Sequence, residues 1–140
     1  MSETIAKKLE RIDELAGEMD KLLSESLTDF IRDSRIIRTA ERDFQLIVDL
    51  ASDINTEIII KEGGRTPDTY KDSFQGIEKL GVIERELAQK LVEAARVRNI
   101  LVHEYDFEED YEKFYASAKK LVPSLREYAK VIYNYISRTS

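Results

Sequence analysis

The chain has no cysteine and no tryptophan, a single histidine, two prolines and five glycines among its 140 residues. Without cysteine there is no disulfide, no thiolate nucleophile and no cysteine zinc site, and one histidine excludes a histidine-rich metal centre within one chain. Any metal would have to be held by carboxylates. No stretch approaches the roughly 18 apolar residues of a membrane span. The N-terminal "MSETIAKKLERIDELAGEMD" is charged throughout instead of carrying an apolar signal core, so the chain is expected to stay in the cytoplasm, with no membrane partner. Positive charge is also short: 28 acidic against 22 basic residues leave a net charge of −6. That argues against a protein that coats nucleic acid with a broad basic face. It does not argue against an enzyme that grips one phosphodiester in a local pocket, which a symmetric dimer can double.

Hydrophobic residues at 42% beside charged residues at 36% describe a helix-rich globular chain. A chain of this length is expected to form one domain over 1–140, since a single core of such size already buries roughly 68–70% of the unfolded surface. Five helices are expected, near 3–31, 34–60, 68–80, 84–105 and 111–138. In the first, Ile5, Leu9, Ile12, Ala16, Met19, Leu22 or Leu23, Leu27 and Phe30 recur at three- and four-residue spacing, one amphipathic stripe. The pattern is interrupted at Asp33 and Ser34, residue types that cap helices, and resumes with Ile37, Ala40, Phe44, Ile47 or Val48, Ala51, Ile54 and Ile58. "KEGGRTPDTY" reads as the main loop, with Thr66 or Asp68 as the next cap and Gly63 and Gly64 as turn residues. A short helix then places Tyr70, Phe74, Ile77 and Leu80 on one side, and Gly81 suits the left-handed residue that closes it. The last helix carries Phe114, Ala118, Leu121 or Val122, Leu125, Ala129, Ile132 and Ile136, and Pro123 inside it predicts a kink or a late start. The fold class is therefore an all-α helical bundle, and the number of apolar stripes on so short a chain favours a homodimer.

Chemistry concentrates in "RNILVHEY", residues 98–105. At 100° per residue, Leu87, Leu91, Ala94, Arg98, Val102 and Tyr105 fall near one line along the fourth helix, so Arg98 and Tyr105 occupy positions that the pattern reserves for core or interface. Asn99 and His103 neighbour each other one turn apart on an adjoining line with Ala88, Val92 and Ala95. Arg98 and His103 are about 140° apart on an ideal helix, so one straight helix does not aim both at one atom. An unpaired buried guanidinium costs several kcal/mol. Arg98 therefore pairs with a carboxylate, points into a polar cleft or faces its copy across a two-fold axis. On spacing alone, pairing and end-capping account for an arginine and a histidine near a helix end, where histidine also suits the helix dipole. A cleft where two copies of this helix meet would solve the angular problem.

"RNILVHEY" has the arginine, four residues, histidine, one residue, tyrosine signature, and by it the chain resembles the HepT-like toxins of the HEPN superfamily. "ERDFQLIVDLASDI" is similar to that family's second helix, "GRTPDTYKDSFQGIEKLGVI" to its loop and third helix, and "DYEKFY" to the start of its last helix. The resemblance runs from about Ser34 to Ile136. One departure follows the motif: "DFEED" supplies Phe107 and acids where the family commonly has an aliphatic residue and an aspartate. The resemblance implies a HEPN-like helical homodimer with its active site at the two-fold cleft, acting as the ribonuclease toxin of a type VII toxin–antitoxin system. It further implies a partner antitoxin of the minimal nucleotidyltransferase (MNT) type, which transfers AMP onto Tyr105.

Under that reading RNA is cleaved without metal or other cofactor, the ribose 2′-hydroxyl attacking the adjacent phosphate. His103 exchanges protons near neutral pH, Arg98 holds the phosphate with its fork of donors, and Asn99 orients His103 or donates to phosphate. Tyr105 is either the AMP acceptor or an interface aromatic with its hydroxyl on a partner. The acidic run Glu104, Asp106, Glu108, Glu109 and Asp110 reads as a solvated turn in preference to a Mg²⁺ site. Two rivals keep the same residues: a non-catalytic helical binding partner of a nucleotidyltransferase, and a dimeric bundle in which the cluster is structural.

Overall fold

The computed structural model describes residues 3–139 apart from 104–109, and shows six helices there with no strand among the described residues. They are α1 (Glu3–Leu23), α2 (Leu27–Arg32), α3 (Ser34–Lys61), α4 (Tyr70–Lys79), α5 (Arg85–His103) and α6 (Tyr111–Thr139). None of them is long and apolar enough to cross a membrane. The all-α expectation holds, and α3 is its axis: it packs against each of the other five. The stripes read from spacing are the ones that go inside. Ile37, Ala40, Phe44, Ile47, Val48, Ala51, Ile54 and Ile58 of α3 are buried, as are Phe114, Ala118, Leu121, Val122, Leu125, Ala129, Ile132 and Ile136 of α6.

The helix expected over 3–31 is instead two. The sequence "SES" at 24–26 interrupts it: the Ser24 hydroxyl donates to the Lys21 carbonyl at 2.6 Å, and the Ser26 hydroxyl accepts from the Asp29 N–H at 3.1 Å as the cap of α2. Serine side chains compete with the helix backbone in this way. The carbonyl left in the turn is met from far along the chain, since the Tyr115 hydroxyl of α6 donates to the Glu25 carbonyl at 2.7 Å. Phe30 then anchors α2, 5.0 Å from the ring of Tyr115.

The other caps follow their residue types. Asp33 accepts from the N–H groups of Arg35 and Ile36 at the start of α3. Thr69, not Thr66 or Asp68, caps α4, accepting from the Asp72 N–H at 3.0 Å. Helices α3 and α4 end alike, on left-handed Gly63 (φ 87°) and Gly81 (φ 77°). In each, the next residue's N–H closes a six-residue bond, Gly64 to Ile59 at 2.8 Å and Val82 to Ile77 at 3.0 Å, the Schellman arrangement. Leu80, expected inside, is 44% exposed, because α4 has already ended at Lys79. Helix α6 starts at Tyr111, with Asp110 accepting from the Lys113 N–H, and continues through exposed Pro123, so no late start is found. The C-terminal end expected for the fourth helix, at 105, lies outside the described residues.

A polar chain crosses the core between α3, α4 and α6. The Tyr128 hydroxyl lies 2.5 Å from Asn55 Oδ1 and 3.0 Å from the Ala51 carbonyl, and Asn55 Nδ2 donates to Ser73 Oγ at 3.1 Å. Ser52 donates to the same oxygen, and Ser73 donates onward to the Tyr70 carbonyl at 2.8 Å. Burial pushes the Tyr128 phenol well above its ordinary pKa, so it stays a neutral donor. Replacing Tyr128 by Phe leaves Asn55 Oδ1 buried without that donor, and should lower unfolding stability by about 1–3 kcal/mol; the urea midpoint measures it.

On the opposite side of α3, buried Asp43 faces α1. Its Oδ2 has no hydrogen-bond partner among the described residues. Desolvation, then the Glu18 carboxyl on α1, push its pKa from 3.8 to about 7, with Arg11 opposing. The folded chain thus binds a proton there more tightly than the unfolded chain, and its stability falls as pH rises between those two values. Asp43→Asn removes that dependence. Its unfolding free energy, from urea titrations, should match wild type near pH 4 and exceed it at pH 8 by on the order of 1 kcal/mol.

Candidate active site

Three helices meet at Arg98. Leu87, Leu91 and Ala94 of α5 are buried, and on the next turn of the same line the side chain is a guanidinium. Only 16% of that side chain is exposed, so its charge needs a partner. Asp49 of α3 supplies it: Arg98 Nε donates to Asp49 Oδ1 at 2.8 Å. The same oxygen accepts the Tyr70 hydroxyl at 2.9 Å. Tyr70, the first residue of α4, also lies flat to the cation, its ring centroid 4.4 Å from Arg98 Cζ, a cation–π distance. Asn99 Oδ1 accepts from Arg98 Nη1 at 3.3 Å. Of the openings that the sequence left for Arg98, pairing with a carboxylate is thus realised.

Desolvation, and then the hydrogen bond to Asp49, raise the Tyr70 pKa, with Arg98 pulling it down. Tyr70 is therefore a neutral donor to a charged acceptor, a stronger bond than a neutral pair makes. Asn99, expected to serve His103 or phosphate, is exposed and meets Arg98. His103 is the last residue of α5, five residues after Arg98 on the same continuous helix; its side chain and the whole of Tyr105 lie outside the described residues. So do Glu104, Asp106, Glu108 and Glu109. Among the described residues no group of three carboxylate or imidazole side chains is gathered as metal ligands are.

Sequence reasoning missed Asp49 and the role of Tyr70. Tyr70 was expected on the apolar side of α4, and there it is half-buried; nothing in its spacing pointed to Arg98, 28 positions on. Asp49 gave one signal, an acid between Val48 and Leu50 on the flank of the α3 stripe. A groove of about 550 Å³ is lined in part by Tyr70 but not by Arg98, and Asp53, Glu57 and Asp68 on its walls outnumber Lys8.

Comparison with known proteins agrees with the geometry. The family model described as "Ribonuclease HepT-like" matches residues 5–132. The chain is 32% identical over 102 residues to the tRNA nuclease HepT of Aphanizomenon flos-aquae, covering 73% of this chain and 69% of that one. Among solved structures it is similar to a tri-AMPylated Shewanella oneidensis HEPN toxin in complex with MNT antitoxin, with a TM-score of 0.85, 19% identity and coverage of 96% of this chain and 99% of that one. The cytosolic protein YutE of Bacillus subtilis, of unknown function, superimposes with a TM-score of 0.72 at 18% identity, over 92% of this chain and 90% of its own. The fold is that of the HEPN toxins, and the chain belongs to the family of HepT-like ribonucleases.

Proposed function

We propose that this chain is the toxin of a toxin–antitoxin pair and cleaves RNA as a homodimer without a metal, Arg98 and His103 acting on the scissile phosphate and Tyr105 receiving AMP from a nucleotidyltransferase antitoxin. The observation that carries the reading is the Arg98 guanidinium, fixed by Asp49 and Tyr70 in a ribonuclease-family fold with donors to spare. Of its five N–H donors, two are taken among the described residues, by Asp49 and Asn99. The other three meet no hydrogen-bond partner among the described residues, and on this reading they serve phosphate oxygens.

In the reaction, the 2′-oxygen bonds to phosphorus as the bond from phosphorus to the 5′-oxygen breaks. One proton leaves the 2′-hydroxyl and one arrives at the departing oxygen. An imidazole exchanges protons near neutral pH, so His103 suits either transfer, and Arg98 stabilises the extra negative charge on the pentavalent phosphorus. A single chain offers one histidine, so distinct imidazole acid and base need two copies. Position supports the dimer too: Ile100 of α5 is 45% exposed, and Val97 and Leu101 on either side, with Leu46 and Leu50 of α3, are only partly buried. Apolar surface along the turns that carry Arg98 suits a second copy.

The antitoxin and the modification rest on the solved complex of the tri-AMPylated toxin. AMP on Tyr105, two residues past His103, would bring a phosphate and a base beside the cleft, competing for Arg98 by charge and filling the space by bulk.

Alanine at Arg98 or at His103 should lower the rate of RNA cleavage by about 100-fold or more while leaving the helical circular dichroism of the dimer intact; a variant that cleaves at the wild-type rate removes that residue from the mechanism. Incubated with the antitoxin and ATP, the wild-type chain should gain AMP by intact-mass measurement and lose cleavage. Tyr105→Phe should gain none, and an adduct that persists excludes Tyr105 as sole acceptor.

A further inference from the structure

We infer that Asp49 is a positioning residue of the ribonuclease, turning the Arg98 guanidinium so that its terminal N–H groups face the substrate phosphate; this rests on the proposed role of Arg98. A carboxylate that served only to neutralise an arginine would gain most from the two-pronged contact with paired N–H groups. Asp49 instead takes the inner donor, Nε, on the single oxygen that also accepts the Tyr70 hydroxyl. Using the inner donor as the handle leaves the outer end of the guanidinium for another ligand.

Three elements fix the group in three different ways. Helix α3 holds its Nε edge through Asp49, α4 supports one face with the Tyr70 ring at 4.4 Å, and α5 itself restrains Nη1 through Asn99. Tyr70 is in turn fixed at both ends, its hydroxyl on Asp49 and its carbonyl receiving the Ser73 hydroxyl at 2.8 Å. Long side chains lose much rotamer freedom when ordered. Here the loss is taken in folding, before RNA arrives, which is how a preorganised site lowers its barrier.

Charge separates this role from simple attraction of substrate. Asp49 is an anion beside the place where another anion has to bind, so it opposes ground-state capture while serving alignment. Removing it should therefore lower kcat without raising KM.

The experiment is steady-state cleavage of an RNA oligonucleotide by the full chain carrying Asp49→Ala, Asp49→Asn, Arg98→Ala, or Arg98→Ala with Asp49→Ala. Asp49→Ala should lose roughly tenfold or more in kcat with KM unchanged or lower, and the double variant should fall within about twofold of Arg98→Ala alone. A merely structural loss would add to the arginine loss instead. Asparagine keeps an oxygen for Nε and for the Tyr70 hydroxyl, so Asp49→Asn should recover to within about threefold of wild type. A readout independent of activity is the Arg98 Nε–H resonance, which should be resolved and slow to exchange in wild type and in Asp49→Asn and lost in Asp49→Ala. Wild-type kcat in Asp49→Ala, an asparagine variant no better than alanine, or additive losses in the double variant would overturn the inference. If instead Arg98→Ala itself cleaves at the wild-type rate, or wild type cleaves no RNA, the function proposed above fails and takes this role with it, whereas loss in Arg98→Ala with none in Asp49→Ala sinks Asp49 alone.

Discussion

A guanidinium held mostly out of water on the packing face of a helix has to be compensated, and the pair Arg98–Asp49 is where the fold meets that demand. Removing one member of such a part-buried pair leaves the other charge partly desolvated without its partner, which costs stability. The pair joins positions 49 residues apart on α3 and α5, so it fixes the rotational register of both helices. Asp49 faces α5 only if the α3 stripe from Ile37 to Ile58 is turned inward as it is, and Arg98 faces Asp49 only if Leu87, Leu91 and Ala94 lie in the core. Apolar patterning brings the helices together; the ion pair fixes their register.

Tyr70 links this pair to the interior. Its backbone receives the Ser73 hydroxyl, Ser73 accepts from Asn55 and Ser52, and Asn55 lies under the Tyr128 hydroxyl of α6. The approach of α4 to α3 is close: a Cβ on Gly76 would stand 2.7 Å from Ile59 Cδ1, and one on Gly64 would stand 2.8 Å from Ile59 Cγ2. Two glycines thus let the loop and α4 lie against the end of α3, which delivers Tyr70 to its place over Arg98. Polar core and candidate site form one connected hydrogen-bonded structure, and a fully satisfied network of this kind specifies one arrangement of its helices.

The apolar stripes of α1, α3 and α6 were legible because burial repeats with the helical period, and the stops at Gly63 and Gly81 because only glycine takes their positive φ without strain. The break at Ser24–Ser26 was not, since its stability lies in the Tyr115 hydroxyl about 90 positions later. Thr69 could not be told from Thr66 and Asp68 for want of any local difference between three capping residues within four positions. At the site, the motif pointed to Arg98 and the helical period placed it where a charge needs a partner; which carboxylate answers is a tertiary fact. Asp43 and Asp49 look alike in sequence, two acids on the same helix. One meets a guanidinium from α5 and the other a second carboxyl from α1, and their chemistry separates accordingly.

A ribonuclease with a net charge of −6 has to act on a polyanion that its overall field repels. Screening limits that repulsion to about 8 Å at physiological salt, so local charge decides the outcome, and at the candidate site Asp49 offsets part of the Arg98 charge. What Arg98 retains is direction: terminal N–H groups held at fixed angles by Asp49, Tyr70 and Asn99. Directed donors add little to loose capture of a diffuse anion and most to a phosphorus gaining charge at one defined place, which is the differential binding that accelerates a chemical step. The acidity of the chain and the ion pair at its candidate site are therefore compatible with RNA cleavage, and with the proposed role of Arg98 in stabilising the transition state more than in recruiting substrate.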